Sequence, residues 1–173
     1  YLITGILNKQ IAAKLGIDLK RCGYEMHYCK GEYFRTTGHK APLIRRLIYP
    51  VPTDVSLGVH LTKTFDNSVR IGPNAFYIDR ATANYRIDEA MKKEFLASAQ
   101  ELIPLEEDDI FPDTAGIRPK LQGPHEAFRD FVITDEAHNG FAGFVNLVGI
   151  DSPGLTASLA IARKVKEIVT PLL

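Results

Sequence analysis

The apolar positions of this chain recur with helical period in some stretches and alternate in others. Residues 8–16, NKQIAAKLG, space Ile11, Ala12 and Leu15 along one side of a short helix that Gly16 closes. GYEMHYCKGEYFR, residues 23–35, alternates and predicts a long strand, with Tyr24, Met26, Tyr28 and Lys30 on one face and Glu25, His27, Cys29 and Gly31 on the other. A second strand is expected at 46–51, RLIYPV. Residues 55–72 read as two strands joined by Phe65-Asp66-Asn67-Ser68. The first arm sets Val55, Leu57, Val59 and Leu61 against Ser56, Gly58, His60 and Thr62. Residues 87–103 predict an amphipathic helix carrying Ile87, Met91, Phe95, Leu102 and Ile103 on one side, and Pro104 stops it. An extended stretch at 111–124 leads to strands at 130–135 and 144–150, joined through Asn139-Gly140. The last helix opens on Asp151-Ser152-Pro153-Gly154, with Ser152 as its expected cap and Pro153 in its first turn. This order predicts an α+β fold, an antiparallel β-sheet with flanking helices in one unit.

Composition narrows the function classes. Of 173 residues 45% are hydrophobic, enough for a real core. Lysines and arginines number 21, as do aspartates and glutamates, so no broad basic field recommends nucleic acid, and none is expected as a partner. Cys22 and Cys29 form no CxxC pair, which fits a reducing compartment and a cytoplasmic location. No run approaches the roughly 18 apolar residues of a membrane span, and YLITGIL is too short for a signal peptide. A start without methionine suggests a fragment of a longer protein. The acidic run Glu106-Glu107-Asp108-Asp109 has no accompanying histidine and reads as a solvated loop, so no metal is expected.

Four places carry chemistry-bearing residues, each open to two readings. In GIRPKLQ the proline keeps Arg118 extended, and alternation sends Arg118, Lys120 and Gln122 to one side. Two cations on one face suit a carboxylate or phosphate, or are simply an exposed pair. His60 lies on the small, polar face of its strand and is either a structural histidine or a general base. Lys30 and Tyr33, near the end of the long strand, are strand-edge residues or polar contacts in a pocket. The turn Ser152-Pro153-Gly154 either caps a core helix or leaves bare amides for an anionic or carbonyl-rich ligand. No Ser-His-Asp pattern, P-loop, zinc signature or GxGxxG is present.

Taken in order, HYCKGEYF, LGVHLTKTFDNSVRIGPNA, AGIRPKLQ, DFVI and GIDSPGLTASLAIA resemble the L-2-hydroxyglutarate oxidase/dehydrogenase family, flavoenzymes of the D-amino-acid-oxidase-like superfamily. The resemblance runs from about Gly23 to the end. It implies FAD as cofactor, a small 2-hydroxy dicarboxylate as substrate, and oxygen or a quinone as electron acceptor. It also implies a division into a flavin-domain remnant at 1–22, a substrate-binding sheet domain at 23–143, and a strand and helix returning to the flavin domain at 144–173. In its terms Ser152, Pro153, Gly154, Leu155 and Thr156 contact the flavin and Arg118 holds the substrate carboxylate. Lys120 or Lys30 engages the distal carboxylate, Tyr33 adds a polar contact, and His60 takes the hydroxyl proton. Peripheral contact of the parent protein with the inner membrane stays open. The ADP-seating GxGxxG and the Asn-Ala-Ala-Gly segment of such enzymes are missing, so the chain alone is expected to be inactive. A flavoenzyme acting on an amino acid, an amine or glycerol 3-phosphate, and a noncatalytic domain of the same fold, remain the alternatives.

Overall fold

The computed structural model describes residues 8–51, 58–79 and 83–172. Contacts divide the chain into two compact units, residues 1–29 with 118–173, and residues 30–117.

Strand β1, His27–Thr36, is the centre of a five-stranded sheet. The sheet runs β2 (His60–Lys63), β3 (Val69–Gly72), β1, β4 (Phe76–Ile78), and β5 (Ile110–Lys120) also pairs with β1. Antiparallel register sets Leu61 opposite Ile71, and Ile71 opposite Phe34. All three are 0% exposed, so one pleat position on three strands makes a continuous apolar row. Helix α1, Asn8–Lys14, comes earlier in the chain, and α2, Lys92–Gln100, covers the row with Phe95, whose ring centre lies 4.8 Å from that of Phe34. Asp88 caps the helical turn before α2 by accepting the Ala90 N–H at 3.0 Å. The β2–β3 turn closes on Asp66, whose carboxylate accepts from Thr64 and Ser68; these bonds hold its pKa down at about 2.

In residues 1–29 with 118–173, α1 ends at Gly16, whose φ of +93° suits a glycine closing a helix. Strands β6 (Val132–Glu136) and β7 (Phe141–Val148) form an antiparallel pair, with Gly140 in the turn. Helix α3 spans Ser158–Val169. Glu136 is fully buried and accepts from Asn146 at 2.7 Å and Asn139 at 2.6 Å. Burial, and then its hydrogen bond to Glu136, push the Tyr24 phenol well above its ordinary pKa.

Two expectations are corrected, the strand at 46–51 and the start of the last helix. The strand at 46–51 reduces to a single bridge, Ile48 with Leu61, because the prolines at 50 and 52 remove ladder donors. The part of the first hairpin arm at 55–57 lies outside the described residues. The last helix starts at Ser158 and not at Ser152; residues 152–157 form turns in which Gly154 N–H donates to the Asp151 carbonyl and Ala157 N–H to that of Pro153. The contact division differs from the expected boundaries at 22/23 and 143/144. β6 pairs with β7, and Arg129 donates to the carbonyls of Gly23 and Leu121, so residues 118–143 pack with the C-terminal segment.

Candidate functional site

Alternation along the end of β5 leaves Arg118 and Lys120 half-buried on one face while Pro119 is buried on the other. Gln122 departs from them, since it lies past the strand end and donates to the Glu126 carbonyl. Among the described residues neither Arg118 nor Lys120 forms an ion pair. Their charges instead reach Asp151, the first residue of the turn that precedes α3. Burial raises the Asp151 carboxyl pKa, while Lys120, then Arg118, and the backbone N–H groups of Asp151 and Ser152 oppose the rise. The structure thus brings Arg118 and Lys120 to the turn that carries the expected cofactor residues. Asp151 is the member that sequence reading passed over; its position directly before Ser152-Pro153-Gly154 was the available signal.

The turn itself is polar in backbone and apolar in surroundings. Gly154 is buried, and a Cβ there would stand 2.4 Å from Ile150 Cγ2 and 2.7 Å from the Asp151 carbonyl, so local packing by itself requires glycine. Leu155 and Thr156 are exposed, and among the described residues their N–H groups meet no acceptor. Beside them runs a groove of about 400 Å³ lined by Leu147, Ile150, Gly154, Leu155, Ile161 and Val165. Bare donors next to an apolar wall fit a flat, largely apolar ring whose polar edge accepts hydrogen bonds and gains electrons.

His60, Lys30 and Tyr33 belong to the unit of residues 30–117. His60 is half-buried, and its Nδ1 lies 3.0 Å from the Gly58 carbonyl oxygen. Its ring stacks on Tyr49 with centres 4.4 Å apart. Leu61 is in the core and Thr62 is half-buried, so the expected alternation holds along β2. Lys30 is buried, not at a strand edge, and its ammonium is 2.7 Å from Glu32 Oε1 while also donating to the Arg86 carbonyl. A charge neutralised in this way has little left for a ligand carboxylate. Glu32 Oε2 and Asn74 Nδ2 are buried without partners among the described residues and line one cavity of about 280 Å³. The Tyr33 ring lies under the Arg70 guanidinium at 5.4 Å, and Arg70 in turn pairs with Asp113 at 2.6 Å. The acidic run folds as a helical turn at Glu107–Asp109, with Asp109 3.4 Å from Lys40. No metal-binding group of three or more ligating side chains occurs among the described residues.

One family model matches the sequence over nearly the whole chain. The chain belongs to the FAD dependent oxidoreductases, whose pattern covers residues 4–168. It is 39% identical over 148 residues to the mitochondrial L-2-hydroxyglutarate dehydrogenase of Arabidopsis thaliana, a match covering 80% of this chain and 31% of that protein. L-2-hydroxyglutarate dehydrogenase of Escherichia coli strain K12 is 36% identical over 74 residues, 42% of this chain and 17% of that protein. Among solved structures, dithionite-reduced L-alpha-glycerophosphate oxidase from Mycoplasma pneumoniae with FAD bound is similar at a TM-score of 0.67. That likeness is 26% identical in sequence and covers 84% of this chain and 37% of the oxidase. The chain therefore spans less than half the length of each of these relatives. Among the described residues no helix is long and apolar enough to cross a membrane.

Proposed function

We propose that this chain is the substrate sheet and returning helix of a longer flavoenzyme that oxidises L-2-hydroxyglutarate to 2-oxoglutarate. The observation that carries the reading is the pair Arg118 and Lys120, free of ion pairs among the described residues, beside the turn that leaves the Leu155 and Thr156 N–H groups bare, in a chain of the FAD dependent oxidoreductases. Bound FAD would supply the acceptor for the hydride leaving the substrate carbon. Ser152, Pro153 and Gly154 would shape the turn, and the N–H groups of Leu155 and Thr156 would steady negative charge at the ring edge. Arg118 would grip one carboxylate with its planar fork, and Lys120 the distal one. His60 would take the hydroxyl proton on a ring nitrogen. Lys30 and Tyr33 act at one remove, Lys30 by neutralising Glu32 and Tyr33 by supporting Arg70. Electrons would pass on to oxygen or a quinone. A cytoplasmic location suits Cys22 and Cys29, which form no disulfide, with peripheral membrane contact if a quinone is the acceptor.

A second reading has its own support. A guanidinium and an ammonium suit a phosphate as well as two carboxylates, and the similar solved structure is a glycerophosphate oxidase. Anaerobic bleaching of the flavin in the full-length protein separates the two. L-2-hydroxyglutarate should bleach it, and Arg118→Lys should raise KM by about tenfold to a hundredfold through loss of a charged, bidentate contact. Bleaching by glycerol 3-phosphate alone would overturn the dicarboxylate assignment.

A further inference from the structure

The His60 ring has the Tyr49 ring and the Gly58 carbonyl as neighbours. Ile48 and Leu61 exchange both backbone hydrogen bonds, at 3.0 and 2.9 Å. Tyr49 and His60 follow as a directly opposed pair without backbone bonds, the arrangement in which cross-strand side chains approach closest. Their rings stack 23° from parallel with centres 4.4 Å apart. Beyond them Pro50 packs against Gly58, whose φ is +73° and where a Cβ would stand 2.8 Å from Pro50 Cγ. Glycine is therefore required at 58, and Pro50 packs directly against the residue whose carbonyl faces His60.

That carbonyl oxygen faces His60 Nδ1 at 3.0 Å. A carbonyl oxygen can only accept, so Nδ1 carries the proton and, in the neutral ring, the lone pair sits on Nε2. Among the described residues Nε2 has no hydrogen-bond or ion partner. We propose that Tyr49 is a positioning residue for His60: with the Gly58 carbonyl it fixes the imidazole as the Nδ1–H tautomer and presents Nε2 as the proton-accepting atom. The catalytic meaning rests on the reading of His60 as the base; the tautomer does not. Tyr49 touches no reacting atom, and its hydroxyl has no part in the stack.

Two measurements test this and separate it from the reading it rests on. The first uses the full 173-residue chain, above the imidazole titration range, and reads His60 ring ¹⁵N shifts and their proton couplings. The Nδ1–H form should dominate in the parent and in Tyr49→Phe, whereas Tyr49→Ala and Tyr49→Leu should show mixed tautomers. An Nε2–H ring in the parent would overturn the proposal without any variant, as would an unchanged Nδ1–H ring in both aliphatic variants. The second uses the full-length flavoenzyme, in which Tyr49→Ala should slow flavin reduction by up to about a hundredfold. It should also alter the pH profile of that step, which a purely structural stack would not do, and Tyr49→Phe should restore both. If His60→Gln reduces flavin at the parental rate, the base assignment fails and Tyr49 loses its catalytic meaning. The ring shifts still decide the tautomer.

Discussion

In residues 30–117 the sheet and α2 close on each other, leaving Phe34, Leu61, Val69 and Ile71 fully buried and Phe95 1% exposed. In the other unit α3 is just as apolar in sequence, yet none of its residues is buried, and Leu155 and Leu159 are 91% and 78% exposed. The two units also differ in how they hold a buried carboxylate. Glu32 is neutralised by a cation, Lys30, whereas Glu136 is held by the neutral donors Asn139 and Asn146. The first unit contains its own partners. The second presents an apolar surface that is a site, or a seat for further chain, before it is a core.

The contrast can be broken most severely at the shared elements of the closed unit. Phe95→Ala should cost about 3–5 kcal/mol through lost burial and the cavity left against Phe34. Leu159→Ala, equally apolar in sequence, should change the stability of the 173-residue chain by less than about 0.5 kcal/mol. Urea denaturation of both variants measures the difference, and equal losses would mean that α3 is covered in solution. Lys30→Met should cost about 3–5 kcal/mol because it strands the buried Glu32 carboxylate, again read from the urea midpoint. A loss under about 1 kcal/mol would show that the pair is hydrated.

The smallest effect sharpens the view of the open unit. Burial raises the Asp151 carboxyl pKa above its unfolded value, so the native state binds the proton more tightly than the unfolded chain does. Stability is therefore lost as pH rises from the ordinary carboxylate range through the raised pKa. Asp151→Asn should raise Tm at pH 7 and leave it unchanged at pH 3. Equal Tm shifts at both pH values would remove the carboxylate from the explanation.

Much of this was readable before any tertiary contact. The alternation of HYCKGEYF gave β1, the spacing from Ile87 to Ile103 gave α2 and its buried face, and Gly16 and Asn139-Gly140 marked real turns. Periodicity is a local property, and α2 buries residues of the face that it marks, whereas β1, central in its sheet, is buried on both faces from Tyr28 to Glu32. RLIYPV misled because β-propensity reports a fit to a pleated surface, and here the prolines allowed only one bridged residue. Ser152-Pro153 misled because cap-type residues also build turns, and the chain completes several before α3 begins. Lys30 looked like an available cation until Glu32, two residues along the same strand face, proved to be its partner.

The sequence by itself determined β1, α2, the turns at Gly16 and Asn139-Gly140, and the family that the ordered motifs resemble. Tertiary structure decided which charges are free. Lys30 and Lys120 are the same side chain on the same kind of strand, yet one is neutralised by a buried carboxylate and the other stands beside Arg118 without an ion pair among the described residues. It also decided that His60 donates from Nδ1, because the Gly58 carbonyl stands 3.0 Å from that nitrogen in a place where Tyr49 and Pro50, distant in sequence, pack against His60 and Gly58. A charge or a tautomer depends on what lies within a few ångströms in space, and for residues distant in sequence only the fold supplies that distance.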